Sequence, residues 1–317
     1  MVGAGGVGGY FGGRLAQAGA DVHFVARGAH LEAMQSGGLE IRSGLGDARI
    51  PVAAHASTSE IGPCDVVLFC VKSYDTDTAA AAHLPALMQD HTAVVSFQNG
   101  IDNQQRLAAV VGESRVLGGV ALIFATIASP GTLAHSGGPA RVVFGEMDGS
   151  RSARAEALLD ALQSAGVDAA VSPGIVTAMW KKYAFLCALS GLTATTRLPI
   201  GEVRDCAESW EMFRSVVEEV YAVARAEGAD VDDDFVEERI RFSEQVDGTS
   251  YSSLHHDLLS GRRMELEALH GMVLRLSERH GVPAPACHAI YALLRPHATA
   301  ADAAAIQASE GLRRAER

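Results

Sequence analysis

Along the first half of the chain, short apolar runs rich in valine alternate with polar turns and stretches of helical periodicity. VHFVA (22–26), DVVLFCV (65–71) and TAVVSF (92–97) are three such runs. The rhythm is that of βαβ units. Strands apolar on both faces predict a sheet covered by helices on both sides, hence a parallel, doubly wound, Rossmann-type arrangement. VLGGVALIFATIAS (116–129), TLAHSG (132–137) and ARVVFGE (140–146) follow in a more hairpin-like tail. One amphipathic helix, RSARAEALLDALQSAG (151–166), and a last strand-like piece, DAAVS (168–172), end this region. After Pro173 only helical periodicity remains, with helices expected over 175–195, 207–228, 233–246, 251–259, 263–280 and 286–295. The expected fold is therefore an α/β domain over 1–172 and an all-helical domain over 173–317, its alanine-rich tail from Ala298 fraying.

The chain opens MVGAGGVGGYFGG, in which Gly3, Gly5 and Gly8 fit the GxGxxG pattern, with Gly6 and Val7 between the last two. In that pattern the first glycine makes the turn, the second admits a pyrophosphate, and the third lets helix and strand pack closely. The helix N-terminus then offers its N–H groups to the phosphates. At the end of VHFVA, where NAD enzymes carry an acidic residue for the ribose hydroxyls, stands Arg27. A cation there suits a 2′-phosphate, so NADPH is the expected cofactor. Only Met1 and Val2 precede the glycine turn, where a central strand of about five residues is expected. The first strand is thus expected to be cut short, with the true start upstream, since a missing central strand would leave backbone groups unpaired.

Composition narrows the classes further. A net charge of −12 with scattered lysines and arginines argues against nucleic acid as the main partner. Five cysteines without a CxxC pair form no disulfide framework. No run of about 18 apolar residues and no signal peptide is present, so the expectation is a cytoplasmic protein without membrane contact. His255, His256 and Asp257 lack a spaced third ligand, and no metal site is expected. DVDDDF (230–235) reads as an acidic helix start.

VKSYDT (71–76), SFQNGID (96–102), MWKKYAFLCALSGLTA (179–194) and YSSLHHDLLSGRRMELEALHG (251–271) occur in that order behind the glycine loop. Together these motifs resemble the ketopantoate reductase (2-dehydropantoate 2-reductase) family from residue 2 to about residue 296. The resemblance implies an NADPH-binding Rossmann domain, an all-helical domain, and reduction of ketopantoate to pantoate in pantothenate biosynthesis. It implies that Lys72 meets the cofactor, that Asn99 meets nicotinamide and substrate, that Lys182 is the catalytic lysine with Glu265 beside it, and that Ser253 meets the substrate carboxylate. Independently of the family, Lys182 has Ala178, Met179, Phe185 and Leu186 as helical neighbours, an apolar face on which a lysine loses hydration. Ser253 reads equally as a helix N-cap. Lys181 points elsewhere, and Glu267 reads as an outer-face residue.

Two departures bear on substrate. One and two turns beyond the lysine, where the family's reductases usually show asparagines, stand Leu186 and Ser190, and His270 replaces a common asparagine. Ser190 is kept as a candidate substrate contact, but a less polar pocket opens other 2-oxo acids as substrates. A 3-hydroxy acid dehydrogenase and a non-enzymatic NADPH-binding protein stay open as alternatives. A homodimer is allowed.

Overall fold

In the computed structural model, which describes residues 1–315, the chain divides into two units, Met1–Gln98 with Asp102–Met179 and Asn99–Ile101 with Trp180–Arg317. They part a few residues beyond the change of periodicity at Pro173. The helix that follows runs unbroken over Ile175–Thr196, and the division falls inside it.

The first unit begins with α1 (Gly6–Gln17), β1 (His23–Val25), α2 (Gly28–Gly37), β2 (Leu39–Ser43), β3 (Ala48–Ile50), β4 (Ala53–His55), β5 (Val66–Phe69) and α3 (Thr76–Leu87). It continues through β6 (Ala93–Ser96), α4 (Asn103–Val111), β7 (Val116–Leu122), β8 (Ala125–Ser129), β9 (Thr132–His135), β10 (Arg141–Glu146), α5 (Ala153–Ser164), β11 (Asp168–Val171) and the start of α6 (Ile175–Thr196). In the main sheet β5, β6 and β7 are parallel, while β10 runs antiparallel to β7 and parallel to β11. On the other flank β1 pairs in parallel with β4.

Between β1 and β5 lies the backbone of Met1 to Gly3. Val2 bridges Val25 on one side and Phe69 on the other, both in parallel. Its N–H donates to the Leu68 carbonyl at 3.0 Å and its carbonyl accepts from Cys70 at 2.8 Å, while Gly3 N–H donates to Val25 at 3.1 Å. The slot expected to be left open is thus paired on both edges by a strand shorter than the usual length, and its backbone requirement is met. Phe11, Phe24, Phe97 and Phe144 fill the core beneath, each less than 2% exposed.

A second sheet, ordered β3-β2-β9-β8, was not expected from the chain. Its strands are three to five residues long, too short for a period-two pattern, and its central pairing joins Glu40 to Thr132 across the sequence.

The second unit continues α6 and adds α7 (Ile200–Asp205), α8 (Ala207–Ala226), α9 (Phe235–Glu244), α10 (Ser253–Leu259), α11 (Met272–His280) and α12 (Pro285–Ala315). The helix α8 buries Phe213, Val216, Val217, Val220 and Val223 in one stripe, against which α7, α9, α11 and α12 pack. Three expectations change here. The short α7 had given no separate signal. The helix expected over 263–280 starts late and passes through a π-helical turn, Glu267–Gly271, before α11. The tail expected to fray continues as helix, its start anchored by buried Ala298 and Ala301 and by Asp302, which accepts from Arg263 at 2.8 Å. Among the described residues no helix is long and apolar enough to cross a membrane.

At the end of β10, Glu146 accepts a two-pronged pair from Arg154, Nε to Oε1 at 2.7 Å and Nη2 to Oε2 at 2.6 Å. Ser152, the N-cap of α5, accepts from Ala155 N–H and donates to the same carboxylate. Strand and helix are thereby fastened to each other. The Arg154 hydrogen bond holds the Glu146 carboxyl below its ordinary value against the opposing effect of burial. A carboxyl depressed in the folded state stabilises above its unfolded pKa and loses that contribution as pH falls through the folded one. Glu146→Gln should therefore cost about 1.5 to 3 kcal/mol at neutral pH. In urea denaturation the gap from the parent should narrow at about pH 3, and a gap independent of pH would refute the assignment.

Candidate functional site

The paired strand at Val2 delivers the chain into the glycine turn. Gly3 has φ +95°, and a Cβ on it would lie 2.8 Å from Val71 N. A Cβ on Gly8 would lie 2.0 Å from Gly3 O, and one on Gly6 1.9 Å from Ala125 O. These three glycines are required by the protein's own packing. Gly5 is different: a Cβ there would meet no protein atom within 4 Å. Its bareness leaves open space at the N-cap of α1, where no side chain caps the helix and no acidic residue occupies the first turn. Half-buried Val7 follows inside that turn. A bare glycine beside an uncapped helix N-terminus fits the pyrophosphate of a dinucleotide.

Arg27 leaves β1 as the N-cap of α2, its side chain 86% exposed, and donates through Nη2 to Asp75 Oδ2 at 2.8 Å. Asp75 closes the turn Ser73–Asp75 directly after half-buried Lys72, so the contact brings the loops after β1 and β5 together. An exposed pair of this kind is worth only about 0 to 1 kcal/mol, and it leaves Arg27 available to a phosphate. The Lys72 turn is held from the other side by Gln98, whose Nε2 donates to Val71 O at 2.9 Å and to Thr76 Oγ1 at 2.8 Å. Gln98 lies inside the quoted SFQNGID motif, yet nothing in the spacing showed that its amide braces the neighbouring loop.

In the second unit α6 sorts its two lysines. Lys181 pairs with Glu238 and, at 3.3 Å, with Asp232. Burial would lower its pKa, but the two carboxylates outweigh that and raise it. The acidic run 230–235 thus serves structure: Asp232 takes Lys181, Asp233 faces Arg225 and Asp234 faces Arg241. Lys182 lies about 100° further round the helix, on the face it shares with Leu186, Ser190 and Thr193. Leu186 on this face is partly exposed, whereas Ser190 is only 1% exposed and shapes the face from within.

That face leads to α10. Thr193 Oγ1 and Ser252 Oγ are 2.9 Å apart, and Ser252 caps α10 by accepting from His255 N–H at 3.1 Å. Ser252 is therefore the N-cap, and Ser253, exposed on the first turn, is not. Glu265 is 5% exposed and accepts a long 3.5 Å contact from Asn99 Nδ2. Tyr183 OH donates to Leu269 O at 2.6 Å, tying α6 to the segment after Glu265. The structure thus gathers Asn99, Lys182, Ser190, Ser253 and Glu265 into the second unit and leaves Gly3 to Gly8, Arg27 and Lys72 in the first.

Two residues near Glu265 add to the picture: Glu267, exposed as its outer-face reading expected, and His270, which had been left without a role. Glu267 accepts from Tyr291 at 2.7 Å, from Arg295 at 2.8 Å and from Arg275 at 3.1 Å, which fastens the π-helical turn to α11 and α12. His270 is fully buried against Gly191 of α6, and burial lowers its pKa to about 4, so it sits there as a neutral ring. His255 stacks on Tyr251 with ring centroids 4.2 Å apart, and Asp257 accepts from Arg262 at 2.9 Å.

Comparison with known proteins agrees with this geometry. Residues 1–149 match the family model described as "Ketopantoate reductase PanE/ApbA", and residues 174–298 match "Ketopantoate reductase PanE/ApbA C terminal". A 2-dehydropantoate 2-reductase of Archaeoglobus fulgidus is 33% identical over 89% of this chain and 91% of its own. The crystal structure of a PanE/ApbA family ketopantoate reductase from Ralstonia eutropha JMP134 superposes with a TM-score of 0.86 at 34% identity, covering 95% of this chain and all of that one. The fold is also that of a D-mandelate dehydrogenase solved with NADH and anilino(oxo)acetate, with a TM-score of 0.86 at 22% identity over 95% of this chain and 99% of that one. Identity sustained from one end of both chains to the other is common descent, and the chain accordingly belongs to the ketopantoate reductase family of oxidoreductases.

Proposed function

We propose that the protein is an NADPH-dependent 2-oxo acid reductase, with 2-dehydropantoate reduced to (R)-pantoate, a cytoplasmic step of pantothenate biosynthesis, as the reaction to test first. The observation that carries the reading is the sorting of α6: Lys181 is neutralised by Glu238 and Asp232, while Lys182 shares a face with the route to Ser253.

Gly3, Gly5, Gly6, Val7 and Gly8 would hold the pyrophosphate, Arg27 the 2′-phosphate, and Lys72 and Asn99 the remainder of the cofactor. When bound, NADPH supplies a hydride to the ketone carbon of the substrate. Lys182 gives a proton to the ketone oxygen as the C=O bond becomes C–OH, and regains one from solvent. Glu265, buried and in contact with Asn99, orients the lysine and the substrate hydroxyl. Ser253 takes the substrate carboxylate, and Ser190 backs the Lys182 face.

A second reading is favoured by Leu186. A partly exposed leucine on the lysine face offers no hydrogen bond to a substrate side chain, which suits a 2-oxo acid with an apolar substituent, the class to which mandelate's oxo form belongs.

NADPH oxidation followed across ketopantoate, aliphatic 2-oxo acids and phenylglyoxylate separates the two readings. Turnover of 3-hydroxy acids with NADP+ and of no 2-oxo acid would refute both. Lys182→Ala should lower kcat by about 10² to 10⁴-fold with cofactor binding nearly intact, while Lys181→Ala stays within a few-fold. An inactive Lys181 variant beside an active Lys182 variant would assign the proton to Lys181 and refute the role of Lys182.

Arg27→Asp should erase or reverse a preference for NADPH over NADH of roughly tenfold to a hundredfold, the worth of one charge-assisted phosphate contact. Equal dissociation constants for the two cofactors in the unmodified protein would refute the assignment of Arg27.

A further inference from the structure

His30 stands in the first turn of α2, beside Arg27, and its imidazole joins three elements. Nδ1 accepts from Gly131 N–H at 3.0 Å, in the turn between β8 and β9. With that nitrogen an acceptor, Nε2 carries the proton and donates to Ala4 O, inside the glycine loop, at 2.9 Å. Burial keeps the ring's pKa below its ordinary value, opposed by the Ala4 contact, so the neutral form that both bonds require is the stable one.

This bridge ties the first turn of α2 directly to the glycine loop, in addition to the sheet pairing of Gly3 with Val25. The far half of the helix is fixed to the sheet by Gln35, whose Nε2 donates to Ala54 O at 2.9 Å. Gly131 has φ +78°, and a Cβ on it would lie 3.0 Å from the Cβ of Ala33, so the β8–β9 turn already presses on α2. Near its N-terminus, α2 is held by His30 and by the exposed Arg27–Asp75 pair, of which only the first reaches the glycine loop. On the NADPH reading, Gly5 would lie at the pyrophosphate and Arg27 at the 2′-phosphate, so their relative placement would bear on cofactor choice.

We propose that His30 is a positioning residue that holds the glycine loop in register with Arg27 and thereby sets the discrimination between NADPH and NADH, an inference that rests on the NADPH reading above.

Dissociation constants for NADPH and NADH, taken from cofactor fluorescence at fixed salt, test this, with thermal melting of the free protein alongside. His30→Ala should raise the NADPH constant about tenfold and the NADH constant less, so that the preference falls at least about threefold. In an Arg27→Ala background the same change should leave the ratio of the two constants where Arg27→Ala put it. His30→Gln, which keeps a donor and an acceptor, should lie between His30→Ala and the parent, and it carries the test if His30→Ala does not fold. A lowered melting temperature with an unchanged ratio would make His30 a packing residue only and overturn the inference while the NADPH reading stands. A parent protein without preference overturns both.

Discussion

Buried backbone groups have to be paired, and at the centre of the first unit that requirement falls on Met1 to Gly3. Their N–H and C=O groups bond to β1 on one side and to the β5 strand on the other. The glycine turn is launched from this pairing, so its position is set by sheet hydrogen bonds on both flanks. From there the steric demands accumulate: Gly3 against Val71, Gly8 against Gly3, Gly6 against Ala125. Each removes a side chain to let backbone approach backbone. At Gly5 the missing side chain faces open space at the N-cap of α1 instead.

In the second unit the organising device is the allocation of charge around α6. Two adjacent lysines would be chemically alike in isolation. The acidic run before α9 takes one into a cluster that raises its pKa, and the other is left on the face leading to Thr193, Ser252 and the start of α10. A segment that reads as a solvated acidic stretch therefore has a selective effect at a distance in sequence.

Most of the main sheet was legible because its strands are apolar on both faces and separated by helical stretches. The helices of the second unit were legible from their apolar stripes, α8 most clearly. The second sheet was legible only in its hairpin-like β8–β9 part, since the β2–β9 pairing that joins its two hairpins is long-range and its strands are too brief to show a period. The cofactor candidates come from the glycine spacing and the register of Arg27, and the catalytic candidates from motif. His30, Gln98 and Asp75 escaped because each acts through one or two hydrogen bonds to groups remote in sequence, which leave no pattern. Ser252 escaped for another reason: two adjacent serines both satisfy an N-cap rule, and only the backbone decides which one caps.

The π-helical turn between Glu265 and α11 has a consequence for how this part of the chain can change over evolutionary time. Such a turn accommodates one residue more than an α-helix of the same rise, which puts everything after it about 100° out of phase with everything before it. Deleting one residue within Glu267–Gly271 would remove the extra residue and shift the stretch that carries Glu265 relative to α11. The clasp formed on Glu267 by Tyr291, Arg295 and Arg275 is built on this turn. Substitutions are tolerable here wherever the clasp survives, but length is not negotiable: the segment is a ratchet against deletion.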